Sequence, residues 1–271
     1  MTENLNTLFS TLSFGQSPRA PGRANLSQYK ANLRASAKDD DTSSKSAGVS
    51  PWGIALAAWD NTQTNAISNF EASWQVPPAP TDKGETYNIY NGLVWTVKDD
   101  GGNDITANIR LLLQWAKPKA GGAAGWSITT WYLGQNSSCS TSPVSVTAGA
   151  SITGKITLTA QSSTEYDYKC VFTDSNGEID GTQMYIYGGN AYTSTFLGFE
   201  WYGVTDKSLF PSTAVVASNI VIQTGSSTPA TISWTTQESP NTQNYTDQVT
   251  VKVDDNSSSS GKVEFDLPKP S

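Results

Sequence analysis

Residues 70–78 read FEASWQVPP. In an extended chain, Phe70, Ala72, Trp74 and Val76 point to one side and Glu71, Ser73 and Gln75 to the other, until Pro77 and Pro78 end the run. The same period of two recurs outward from this stretch. Tyr87, Ile89, Leu93, Trp95 and Val97 alternate up to a turn at Asp99-Asp100-Gly101-Gly102, followed by Ile109, Leu111, Leu113 and Trp115, and then by Trp126, Ile128, Thr130 and Tyr132. Further runs cover Ile152–Ala160, Tyr166–Phe172, Met184–Tyr187, Phe196–Tyr202, Val215–Ile222, Ala230–Trp234, Val249–Val253 and Val263–Leu267, with Asn176-Gly177 as a hairpin signal between two of them. About a dozen short strands with turn residues between them predict an all-β fold, a double-sheet antiparallel β-sandwich.

Composition narrows the chemistry. The chain has 271 residues and a net charge of −7, which argues against a nucleic-acid footprint. It has no histidine, so Ser-His-Asp and Cys-His nucleophile systems and histidine-ligated zinc are excluded. Two cysteines cannot build a four-cysteine metal site. Cys139 and Cys170 are read either as one disulfide or as two free thiols. Any hydrolysis must then fall to carboxylates, amides, hydroxyls or an unusual metal; no cofactor or metal is expected. Asp99–Asp104 reads as a solvated turn, because no glutamate closes it as a calcium loop. The N-terminus carries no signal-peptide or membrane-spanning pattern, although four N-glycosylation sequons are compatible with secretion.

Residues 1–50 carry a net +2 against −9 for the remainder. They read as a basic pro-segment-like arm or a flexible tail, preceding a β-sandwich domain over 51–271. The faces of two strands carry the functional signal. In 108–116 one face holds Ile109, Leu111, Leu113 and Trp115, and the other holds Arg110, Leu112, Gln114 and Ala116. In 196–202 one face holds Leu197, Phe199 and Trp201, and the other holds Phe196, Gly198, Glu200 and Tyr202. Gln114 and Glu200 are polar residues in stretches otherwise fit for burial. A buried carboxylate needs partners, a cleft floor or open water at a sheet end.

The order of these pieces resembles the glutamic peptidases (eqolisins), over roughly residues 50–254. FEASWQVPPAP at 70–80 is similar to the family's opening strand, and Ser50-Pro51-Trp52-Gly53 stands where that family has its Trp-containing start. Tyr87–Val97 falls where the next Trp-bearing strand lies. Leu111–Ala116 resembles the segment with the catalytic glutamine, Trp131-Tyr132 the Trp-Tyr-Glu-Trp strand, Val146–Ala160 the Ala-Gly-Asp strand entry, and Phe199-Glu200-Trp201 the Ala-Glu-Trp with the catalytic glutamate. There are three departures: Leu133 stands where the family has a glutamate, Trp115-Ala116 replace a small residue and glycine, and the signal-peptide pattern of the secreted members is missing. Trp115 is therefore expected to narrow or re-aim the cleft.

The resemblance implies a sandwich of the concanavalin A-like lectin/glucanase type and an acid-acting, extracellular glutamic endopeptidase. In that reading Glu200 is general base and acid, and Gln114 stabilises the oxyanion and orients the water, the two meeting across one water molecule. Trp95, Trp131, Tyr132, Trp201 and Tyr202 are expected to line the groove for a polypeptide substrate. With a free glutamate pKa near ~4.3, activity is expected in acid solution. The chain is expected to act as a monomer without membrane or nucleic-acid partners, with glycans as a second ligand class. The alternative from another class is a non-catalytic carbohydrate-binding lectin on the same sandwich.

Overall fold

The computed structural model describes residues 52–61, 65–80, 85–98, 104–116, 124–134, 138–204, 206–225, 228–238 and 249–268. The readings of 1–50 as an arm and of 99–103 as a turn lie outside them. In chain order the strands are β1 (Trp52–Asp60), β2 (Ile67–Gln75), β3 (Thr86–Lys98), β4 (Asp104–Ala116), β5 (Gly125–Leu133), β6 (Ser138–Ser140), β7 (Val144–Ser145), β8 (Ser151–Gln161) and β9 (Tyr166–Asp174). They continue as β10 (Gly177–Glu178), β11 (Met184–Gly189), β12 (Ser194–Tyr202), β13 (Val215–Thr224), β14 (Thr228–Pro229), β15 (Thr235–Glu238), β16 (Thr250–Asp255) and β17 (Gly261–Asp266). No helix among the described residues is long and apolar enough to cross a membrane.

The strands form two antiparallel sheets packed as the expected sandwich. Sheet one runs β15-β1-β12-β3-β4-β5-β6, with β7 also on β5; sheet two runs β10-β9-β8-β2-β13-β17-β16, with β11 on β9 and β14 on β13. The alternating apolar side chains of both sheets meet in one core, which takes Ile89, Leu111, Leu113, Phe199 and Trp201 from sheet one and Phe70, Ala72, Trp74, Ile156 and Ile222 from sheet two. This is the period-two pattern of the sequence turned into burial.

A buried polar group bridges the two layers. Asn91, wholly buried on the inner face of β3, accepts from Trp74 Nε1 at 3.4 Å and donates to the Gly154 carbonyl of sheet two at 3.2 Å. Gly154 permits this approach, because a Cβ there would meet Asn91 Oδ1 at 2.3 Å.

Two segments depart from the one-face-buried strand pattern. Strand β1 carries the continuous run IALAAW at 54–59 because both of its faces are covered: Ala55, Ala57 and Trp59 enter the inter-sheet core, while Ile54, Leu56 and Ala58 join a second cluster on the outer face of sheet one. A strand buried on both sides loses its polar alternation. The strand expected over Ala230–Trp234 is replaced by a crossover. β14 belongs to sheet two and β15 to sheet one, so the residues between them carry the chain from one layer to the other, and Ala230 and Ile232 are buried on the way. The hairpin expected at Asn176-Gly177 is present, but its turn residues are Ser175 and Asn176, with the Asn176 N–H donating to Asp174 Oδ1, and Gly177 opens β10 opposite Asp174 at a φ of 115°. The cysteines are free: Cys139 is exposed on β6 and Cys170 is buried on β9, in different sheets.

Candidate active site

The outer face of sheet one carries the polar residues singled out in the sequence. Antiparallel register places Gln114 of β4 opposite Asn88 of β3, and Asn88 opposite Glu200 of β12. Ser127 and Ile54 extend the same row to β5 and β1. With strands spaced about 4.8 Å apart, the α-carbons of Gln114 and Glu200 are about 10 Å apart, with Asn88 between them.

Asn88 bridges the two. Its Nδ2 donates to Glu200 Oε2 at 3.3 Å, and its Oδ1 accepts from Gln114 Nε2 at 2.8 Å. The expectation that Glu200 and Gln114 meet across one water is thereby modified, because a carboxamide occupies the midpoint of the row.

Glu200 is 1% exposed. Its carboxylate has four partners: Oε1 accepts from Tyr90 Oη at 2.6 Å and from Arg110 Nη1 at 3.3 Å, and Oε2 accepts from Asn88 Nδ2 and from Tyr202 Oη at 3.0 Å. Burial pushes the Glu200 carboxyl above its ordinary value of 4.5, while Arg110 and the hydrogen bonds from Tyr90, Asn88 and Tyr202 oppose that rise. Burial also raises the Tyr90 phenol well above its usual range, with the Glu200 charge adding to it, so Tyr90 stays a hydrogen-bond donor.

Two glycines make room for this geometry. Gly198 lies opposite Tyr90, and a Cβ there would meet the Tyr90 ring at 2.3 Å; the bare backbone lets the ring lie flat while its hydroxyl reaches one row further to Glu200. Gly92 lies between Arg110 and Phe196 in register, and a Cβ there would meet the Phe196 ring at 2.5 Å. The Arg110 guanidinium passes over the Tyr90 ring at 4.7 Å and near that of Phe196 at 5.6 Å to its ion pair with Glu200. Around these polar groups, Ile54, Leu56, Ala58, Tyr90, Val94, Leu112 and Phe196 form a separate apolar cluster. The Glu200 charge is thus held in a low-dielectric site, compensated at close range.

The strand faces divide the five expected groove aromatics. Tyr202 is half-buried and bonded to Glu200, and half-buried Trp131 packs on the outer cluster, opposite Arg110 in register. Trp95, Tyr132 and Trp201 point the other way. Trp201 is a core residue packed on Phe199 and Phe210, and Trp95 and Tyr132 pack against the same core. Trp115 also corrects an expectation. It is buried between the sheets against Trp126, with ring centroids 5.5 Å apart, so it neither narrows nor re-aims the outer face. Asn88, Tyr90 and Arg110 were not singled out from sequence, and the structure adds them to the site.

Neither a scan against protein-family models nor a search of curated proteins gave a match. Among solved structures, a Scytalido-glutamic peptidase with a peptide-based transition state analog is similar over 81% of this chain and 99% of that one, at 15% identity and a TM-score of 0.49. SCP-B, a member of the Eqolisin family of peptidases in complex with a tripeptide, is similar over the same shares at 16% identity and a TM-score of 0.45. The alginate lyase Aly36B is similar over 92% of this chain and 91% of that one, at 11% identity and a TM-score of 0.30.

Proposed function

We propose that the chain is an acid-acting glutamic endopeptidase in which Glu200 activates water and Gln114 stabilises the oxyanion. The observation that carries this reading is a buried carboxylate of raised pKa, linked through one carboxamide to a glutamine in the same row of the sheet. A carboxylate whose pKa burial raises is the type of group that general-base hydrolysis needs. Ionised Glu200 takes a proton from water as the water oxygen bonds to the scissile carbonyl carbon. The carbonyl oxygen becomes an oxyanion. A carboxamide nitrogen carries two hydrogens, and the Asn88 bond occupies one on Gln114, which leaves one for that oxyanion. The carbon–nitrogen bond then breaks as Glu200 returns its proton to the leaving amine.

The four partners of Glu200 fill its roughly four acceptor sites, so one must yield when water enters. Tyr202 is the partner at the surface: it is half-buried, whereas Asn88, Tyr90 and Arg110 are buried. Rotation of its phenol away from Oε2 frees that oxygen for water. Half-buried Gln114 and Ser127 border the same row.

The fully partnered, nearly inaccessible carboxylate also favours a second reading, a purely structural Glu200 in a non-catalytic carbohydrate-binding sandwich. Digestion of a denatured protein in mildly acid solution separates the two. Wild type is expected to cleave, and Glu200→Gln to lose about 100-fold or more of the rate. An inert wild type, or equal cleavage by both proteins, would overturn the peptidase reading.

A further inference from the structure

The outer face of sheet two carries a feature unrelated to Glu200. Tyr185 and Tyr187 of β11 are 48% and 74% exposed, and they are the large exposed aromatics among the described residues. Ile186 between them turns into the core, so both rings stand on the same outer face. Their planes are parallel to within 8°, with centroids 6.1 Å apart. Register continues this face across the sheet in one row: Tyr185 opposes Lys169, Lys169 opposes Thr157, Thr157 opposes Asn69, and Asn69 opposes Gln223. Four strand spacings make this row about 19 Å long.

The far half of the row lies in an open trough of about 840 Å³, whose lining includes Asn69, Glu71, Lys155, Thr157, Gln161 and Gln223. Its hydrogen-bonding groups hold one another in place. Asn69 Nδ2 donates to Glu71 Oε1 at 3.0 Å, Thr157 Oγ1 donates to Asn69 Oδ1 at 3.3 Å, and Lys155 Nζ pairs with Glu71 Oε1 at 2.8 Å. Lys169, between trough and tyrosines, pairs with Glu178.

We infer that this face binds a neutral oligosaccharide, with its sugar rings stacked on Tyr185 and Tyr187 and its hydroxyls bonded along the Thr157–Asn69–Gln223 row. Tyrosine offers a flat apolar face with little side-chain entropy to lose, suited to the C–H face of a pyranose. Amide and hydroxyl groups suit a ligand that both donates and accepts at each unit. Glu71 pairs with Lys155 and Lys169 with Glu178, while Asp167, which accepts from the Gly188 N–H at 2.9 Å beside Tyr187, adds a negative charge that disfavours an anionic chain. The length of the row calls for several sugar units rather than one. A proline-rich peptide also stacks on tyrosines, but it seeks apolar slots between them, not a polar trough.

The inference is independent of the Glu200 chemistry, and titration calorimetry of the full chain tests it. The probes are neutral gluco-, xylo- and manno-hexaoses, with an oligo-uronate and a proline-rich peptide alongside. At least one neutral hexaose is expected to bind saturably. The double variant Tyr185→Ala/Tyr187→Ala is expected to weaken it by roughly tenfold or more. Both rings are exposed, so the thermal unfolding midpoint of that variant should stay at the wild-type value, and Gln223→Ala provides a second variant at the trough end. Glu200→Gln should bind as wild type does, which keeps failure here distinct from failure of the peptidase reading. Binding of none of the neutral probes, preference for the uronate or the peptide, or undiminished binding by the tyrosine variant would overturn the inference.

Discussion

Arg110→Met is expected to destabilise the protein by about 3–5 kcal/mol near neutral pH, because it leaves a buried carboxylate without its counter-charge. Glu200 is 1% exposed and Arg110 is its one cationic partner in the hydrogen-bonded set described above. The loss should depend on pH in a defined direction. Burial already places the folded-state pKa of Glu200 above the ordinary 4.5, and removing Arg110 removes an influence that lowers it. A carboxyl whose folded pKa lies above its unfolded one contributes most below the unfolded value. That contribution is lost as pH rises through the folded pKa. In the variant this loss runs further, so the gap to wild type widens with rising pH and narrows in acid, where Glu200 is protonated in both proteins. Chemical denaturation at a series of pH values measures it. A gap that does not change with pH would mean that the ion pair is not what Arg110 contributes.

Gln114→Ala is expected to lower kcat by about 100- to 1,000-fold with little change in KM, the signature of losing one oxyanion donor. Folding should suffer far less. Gln114 is half-buried and its described bond is one donation to Asn88, so a loss of about 1 kcal/mol is expected. The split between a large kinetic effect and a small stability effect marks a catalytic role. A residue that merely supported Asn88 would lose stability and rate together. Steady-state kinetics on a short peptide, beside the unfolding midpoint of the same sample, gives both numbers. An unchanged kcat would remove Gln114 from the mechanism.

The two-sheet sandwich was legible because each strand with one face in the core repeats apolar and polar residues with a period of two, as FEASWQV does at 70–76. Where that physical cause is missing, so is the signal. β1 is covered on both faces and reads as a continuous apolar run, whereas 230–234 keeps the alternation, with Ala230 and Ile232 buried and Thr231 and Ser233 exposed, but crosses between layers rather than pairing. Gln114 and Glu200 stood out as polar residues on otherwise buryable faces. The same rule applies to Asn88 and Arg110, which sit on the outer face of their strands, but nothing local distinguishes them from solvent-facing residues. Their convergence depends on the pairing of positions 88, 114 and 200, and long-range register is not written in any one strand. Tyr90 is harder still, since its reach to Glu200 depends on the missing side chain of Gly198 across the sheet. Strand parity does sort the aromatics: Trp201 follows Glu200 by one residue and must face the opposite layer, whereas Tyr202 follows by two and shares its face.

The pH dependence of kcat/KM for peptide hydrolysis, measured from about pH 3 to 7 on wild type and Arg110→Met, tests the role of Glu200 most directly, because its acid limb reports the pKa of the essential base in the free enzyme. If Glu200 is that base, the wild-type limb lies above 4.5 and moves to higher pH when Arg110 is removed. A limb at or below 4.5, or one at the same pH in both proteins, would contradict it.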